Sequence, residues 1–189
     1  MATPNQRLTR TNQGFTLVEL IVVVAMLGVL AAIAAPSWLT LLTRQRLYDA
    51  RANALDKIRE AQSQALRTSR SWEACFYDDG TRVLMSVQPV ASTTVTNNCA
   101  SHTNRVPILE KGSETLRIKT GSPGTTLPGN PTNGYSFRFD FVGNTESMLA
   151  FRQLVFVPRG QNGPLYCLYS ESIIGAVREG RIGSGTVCR

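Results

Sequence analysis

The sequence predicts an α+β fold: one long N-terminal helix packed on a C-terminal antiparallel β-sheet domain. Three observations predict it. Residues 20–42 carry no charge, residues 47–65 place apolar side chains at steps of three and four, and beyond residue 72 the helical period gives way to strand patterns. A chain that spends its helix first and its strands afterwards is not an alternating α/β enzyme fold. With 189 residues and a formal charge of +7, it is long enough for one core beside the helix and moderately basic.

Residues 1–14 hold Arg7 and Arg10 and no acid, the positive flank of an export signal without an apolar region of its own. The apolar run comes next. At about 1.5 Å per residue, residues 20–42 exceed the roughly 30 Å hydrocarbon core of a bilayer, and Ile21, Val22, Val23, Val24, Leu27, Val29, Leu30 and Ile33 are apolar on every helical face. The segment reads as a membrane span. Glu19 stands at its edge, where a carboxylate either marks the membrane boundary or serves a function that repays its cost.

The string Gly14-Phe15-Thr16-Leu17-Val18-Glu19, after a short basic leader and before an apolar helix with Pro36 in its second half, resembles the class III signal of type IV pilins and type II secretion pseudopilins. The resemblance implies that a prepilin peptidase cuts after Gly14 and N-methylates Phe15, and that Glu19 pairs with the N-terminal amine of a neighbouring subunit. It also implies a pilin fold, divided here as leader 1–14, transmembrane and assembly helix 15–43, amphipathic continuation 44–70 and β-rich domain 71–189. The partners implied are other pilin or pseudopilin subunits, the peptidase and inner-membrane lipid. Physical chemistry agrees with the Glu19 role, because a carboxylate in low dielectric needs a cation and a freed α-amine, with a reference pKa near 7.7–8.0, is one. Ala31, Ala32, Ala34 and Ala35 would let helices approach closely.

Flanking charge alone orients the span the other way, since Arg44, Arg46 and Arg51 follow it against Asp49. Long domains translocate largely regardless of such charges, and four cysteines favour an oxidising compartment. The resemblance agrees, implying an inner-membrane, single-pass protein with a periplasmic C-terminal domain that later enters a pilus or pseudopilus.

Past Pro36, which should kink the helix, Leu47, Ala50, Ala54, Ile58, Ala61 and Ala65 form a narrow small-residue stripe, expected to pack on the chain's own domain. Residues 74–77 and 82–87 flank Asp79-Gly80 as a hairpin. Further strands are expected at 106–109, 116–119, 135–142, 154–157, 165–169 and 173–177, with a loop of three prolines and four glycines across 121–134. One helix followed only by strands resembles the smaller all-β variant of the pilin fold. Leu154-Val155-Phe156-Val157-Pro158-Arg159-Gly160, Tyr166-Cys167-Leu168 and the closing glycine-rich basic segment are similar to GspH/FimT-type minor pseudopilins.

Cys75, Cys99, Cys167 and Cys188 allow three pairings. Sequence order favours Cys75 with Cys99 and Cys167 with Cys188. Zinc is the alternative, with His102, the single histidine, in a polar loop; structural disulfides fit better, and no metal or other cofactor is expected. Serine-hydrolase, phosphate-loop and zinc-protease motifs are absent from the sequence, and Asp78 and Asp79 beside Gly80 read as turn residues, so no catalysis is expected. The tail carries Arg178, Arg181 and Arg189 against Glu179. Some FimT-type pilins bind DNA through a C-terminal arginine motif, and Gly180-Arg181 matches its start, but Gly183 stands where a second arginine is expected. DNA capture for uptake is therefore the alternative function, against a solvated basic edge.

Overall fold

The computed structural model describes residues 14–91, 97, 99–145, 151–160, 163–170, 172 and 174–189; the side chains of residues 34–37 lie outside that description, and with them the kink expected at Pro36 and the alanines at 34 and 35. The chain divides into two units, Met1–Thr40 and Leu41–Arg189. Helix α1, Leu17–Thr68, contributes to both.

In the second unit the small-residue stripe is the seam. Leu47, Ala50, Ala54, Ile58, Ala61 and Ala65 are at most 1% exposed. Their short side chains let the helix lie close to the sheets beneath, and Phe76, Phe137, Phe139, Leu154, Phe156, Tyr166 and Leu168 fill the same core. Polar side chains fix the helix at three places. Asn53 donates to the Ile108 carbonyl at 2.7 Å, Gln62 donates to that of Gly143 at 2.9 Å, and the Arg51 guanidinium meets Glu179 at 2.7 Å. α1 stops at Thr68, where Ser69 takes a φ of 50°.

All strand pairs are antiparallel. The first sheet runs β3 (Val106–Pro107), β2 (Val83–Pro89), β1 (Trp72–Asp78), β6 (Gly134–Phe139), β5 (Gly129–Asn130). The second runs β4 (Leu116–Ile118), β7 (Arg152–Pro158), β8 (Leu165–Ser170), β9 (Val177–Ile182). Alternation sorts each strand into two sides. In β1, Ala74 and Phe76 join the helix-side core while Cys75 and Tyr77 join a second cluster with Cys99; in β7, Leu154 and Phe156 face the helix while Val155 and Val157 pack with Cys167, Ile182 and Cys188. Each sheet thus has a buried outer side, and each outer side lies under a disulfide-tethered segment. The bonds join Cys75 to Cys99 and Cys167 to Cys188, 24 and 21 residues apart in sequence.

The last expected strand, 173–177, is corrected. Residue 173 lies outside the description, Gly175 turns with φ +79°, and the strand is Val177–Ile182 instead. Its Arg-Glu-Gly-Arg centre hides the period because an edge strand presents charge to solvent on both sides of its plane. The loop 121–134 contains the short β5, and β6 ends at Phe139, where the Asp140 carboxylate accepts the N–H groups of Val142 and Asn144 and turns the chain.

Candidate functional site

The N-terminal helix begins with a built cap. The N–H of Glu19 donates to the Thr16 hydroxyl oxygen at 3.2 Å, and the N–H of Leu20 donates to the Thr16 carbonyl at 3.2 Å. Thr16-Leu17-Val18-Glu19 has capping-box spacing, with Phe15 and Leu20 at the staple positions on either side. Glu19 therefore sits at the positive end of the helix dipole, which favours its charge locally. Sequence reasoning missed that role, although the Thr16-to-Glu19 spacing carries its signal.

Gly14 is exposed, its backbone is not left-handed, and a Cβ built on it would meet nothing within 4 Å among the described residues. Nothing in the described residues requires glycine there. On both sides of the cap the apolar side chains lie open: Phe15 before it is 84% exposed, and after it Leu17 is 73%, Leu30 63% and Ile33 71% exposed. Among the described residues no single helix is long and apolar enough to cross a membrane; Leu17–Ile33 and Trp38–Thr68, taken as a bent pair, have the length and composition for it.

On the outer side of the first sheet lies a sealed polar network. His102 lies in a loop, as expected, but its side chain is buried: its Nε2 is 3.2 Å from Glu73 Oε1 and its Nδ1 2.7 Å from Ser86 Oγ. Arg138, cross-strand from Glu73, reaches Oε2 with Nη2 at 3.1 Å. Ser86 continues to the Tyr77 hydroxyl at 2.9 Å, which donates to the Cys99 carbonyl at 2.8 Å, and burial pushes the Tyr77 phenol pKa up. Arg105 covers the ring, 4.0 Å from its centroid. Glu73, His102 and Ser86 have the connectivity of a hydrolase relay, but all three are buried, and Ser86 is engaged with Tyr77. The arrangement holds the strands to residues 99–105, the lid over this side of the sheet. Sequence reasoning missed it because Glu73, Ser86 and Arg138 become neighbours only through the β2-β1-β6 register.

Asp78 and Asp79 both serve the turn, Asp78 by accepting the Gly80 N–H at 3.1 Å, but their further roles differ. Asp79 closes the turn: its carboxylate accepts the Thr81 hydroxyl at 2.6 Å and the N–H groups of Thr81 and Arg82 at 2.8 and 2.7 Å. Asp78 joins the sheets, accepting Arg159 at 2.6 Å and the Ile118 N–H at 3.1 Å.

The tail arginines are placed differently from one another. Arg178 stands opposite Tyr169 on the outer side of the second sheet, whereas Arg181 stands opposite Tyr166 on the helix side. Arg189 pairs main chain to main chain with Arg181, at 2.8 and 3.3 Å, along the edge of β9. Tyr166 packs against Tyr48 with centroids 4.7 Å apart and ring planes tilted by 58°, beneath the Arg51 guanidinium; burial, then Tyr48, raises the Tyr166 pKa.

Residues 9–35 match the family model described as the prokaryotic N-terminal methylation motif. The chain is 45% identical over 47 residues to "Type IV major pilin protein PilA" of Myxococcus xanthus (strain DK1622), a stretch covering 25% of this chain. It spans about a fifth of that relative, 21% of its length. No solved structure matches.

Proposed function

We propose that this member of the type IV pilin family is a minor pilin or pseudopilin, cut from an inner-membrane precursor after Gly14 by a prepilin peptidase, N-methylated on Phe15, and assembled into a type IV pilus or type II secretion pseudopilus. The observation that carries the reading is the start of the helix. An exposed glycine that no described residue crowds precedes a capped helix with open apolar faces and a carboxylate in its first turn. Cutting before Phe15 would free an α-amine at the end of that helix. The Glu19 carboxylate, carried into a low-dielectric bundle of helices, would take the amine of a neighbouring subunit as its cation. Apolar side chains such as Leu17, Leu20, Val24, Leu27 and Leu30 would supply the packing, first to lipid and then to other subunits.

The divisions 1–14, 15–43, 44–70 and 71–189 belong to the same proposal. The first leaves as leader, the second is held in the membrane, and the rest stands in the periplasm, where both disulfides can form. Sites and machinery are those of assembly, and the chain carries out no catalysis of its own. DNA capture, the alternative, would have to draw on arginines split between the two sides of β9.

Intact mass of the protein from membranes of cells with and without the peptidase tests the reading. The expected result is peptidase-dependent loss of residues 1–14 with one added methyl on Phe15. An unprocessed chain in both samples overturns it. Glu19→Ala should be processed normally yet fail to enter filaments recovered from the cell surface.

A further inference from the structure

We infer that the dithiol form of this chain holds one zinc ion, ligated by Cys75, Cys99, His102 and Glu73, at the place the Cys75–Cys99 disulfide occupies in the oxidised fold. Among the described residues, Glu73, Cys75 and His102 bring a carboxylate oxygen, a sulfur and a ring nitrogen all within 4.8 Å of one another. Cys99 joins them through its bond to Cys75, with the two Cα atoms 5.5 Å apart. Tetrahedral zinc with ordinary bond lengths requires sulfur-to-nitrogen edges of about 3.5 Å and nitrogen-to-oxygen edges of about 3.4 Å. The chain already sets Cys75 Sγ 3.9 Å from His102 Nε2, and Glu73 Oε1 3.2 Å from the same nitrogen. Small movements of side chains would close that polyhedron.

The surroundings are those of a metal site as well. A ligating histidine normally has its other ring nitrogen fixed by a hydrogen bond, and Ser86 Oγ stands 2.7 Å from His102 Nδ1. A ligating carboxylate is normally held by a further group, and Arg138 holds Glu73 Oε2 at 3.1 Å. Charge balances: two thiolates cancel the dication, and Glu73 and Arg138 cancel each other. Cys75, Cys99 and Glu73 are fully buried and His102 is 4% exposed, so the site would be closed to water, as structural zinc sites are.

The oxidised and metal-bound forms exclude one another because they use the same two sulfurs. Reduction by a phosphine breaks the sulfur–sulfur bond; two electrons and, with water, two protons give two thiols and the phosphine oxide. Zinc then displaces the two thiol protons. The fold would thus keep its lid tethered before the disulfide forms and after it is lost.

Full-length protein in detergent, reduced with a phosphine, is titrated with Co²⁺ and then Zn²⁺. The reduced chain is expected to take up a single equivalent with the visible bands of tetrahedral thiolate-bound cobalt. Zinc should abolish those bands and raise the melting temperature, and the oxidised chain should take up none. Zinc-edge X-ray absorption on the unmodified reduced chain should show two sulfurs with nitrogen and oxygen. His102→Ala, whose disulfide can be verified first, should lose the cobalt bands. A reduced chain that binds no cobalt, a first shell without sulfur, or a four-sulfur shell drawing in Cys167 and Cys188 overturns the inference.

Discussion

Asp79 shows how one side chain can close a turn. Burial pushes its carboxyl up, but the hydrogen bonds from Thr81 and Arg82 prevail and bring it down to about 2, from an ordinary 3.8. A depressed folded-state pKa means that the stabilisation is fully present above pH 4 and is lost as pH falls towards 2. Wild type should therefore exceed Asp79→Asn in urea midpoint at pH 6, and the two should converge near pH 2. Arg138→Met removes the guanidinium that neutralises Glu73 in the buried network and should cost about 3–5 kcal/mol by urea titration with disulfides intact. Changing both Glu73 and Arg138 to Met should recover part of that loss, because no unpaired charge then stays buried. At this scale the sequence was uneven. The turn at Asp79-Gly80 could be read from adjacent residues, whereas Asp78 reaching Arg159, 81 residues away, could be read from nothing local. His102 does lie in a loop, as its polar neighbours in sequence suggest, but its side-chain partners Glu73 and Ser86 come from strands.

Among the elements, the helical seam was the most legible, because a step of three or four residues is a local property. Each residue of the predicted stripe is buried. Ala61→Leu should overpack the seam and cost about 1–3 kcal/mol, while Ser63→Leu on the exposed side should stay within about 0.5 kcal/mol, both by denaturant midpoint. The edge strand was the least legible. Val177–Ile182 owes its place to β8 on one side and to Arg189 on the other, and its own residues announce charge. Two helix-facing loops show a second kind of long-range constraint. Gly143 and Gly175 have φ near +80°, and a Cβ on either would meet Leu66 at 3.0 Å or Gln62 at 2.6 Å. The Cys167–Cys188 bond closes a loop of 21 residues, and Cys167→Ser with Cys188→Ser should cost about 3 kcal/mol, read as a lower melting temperature.

For the whole molecule, the order of helix then strands gave the fold class before any contact was known, because topology follows from which period comes first. The layering did not follow. Nothing in the strand patterns tells that both outer sides are sealed, since a strand buried on both sides reads as a short apolar run whichever way it faces. Cys75 and Cys167 sit near the middle of β1 and β8, and each anchors the cover over its own sheet. At the other end, no described residue comes within 4 Å of a Cβ placed on Gly14. A bulky residue placed there would leave stability untouched while changing what a protease encounters. If the proposed processing occurs, a series of substitutions at this one position would act as a probe of the peptidase's own pocket: with melting temperatures unchanged, differences in turnover would measure recognition alone.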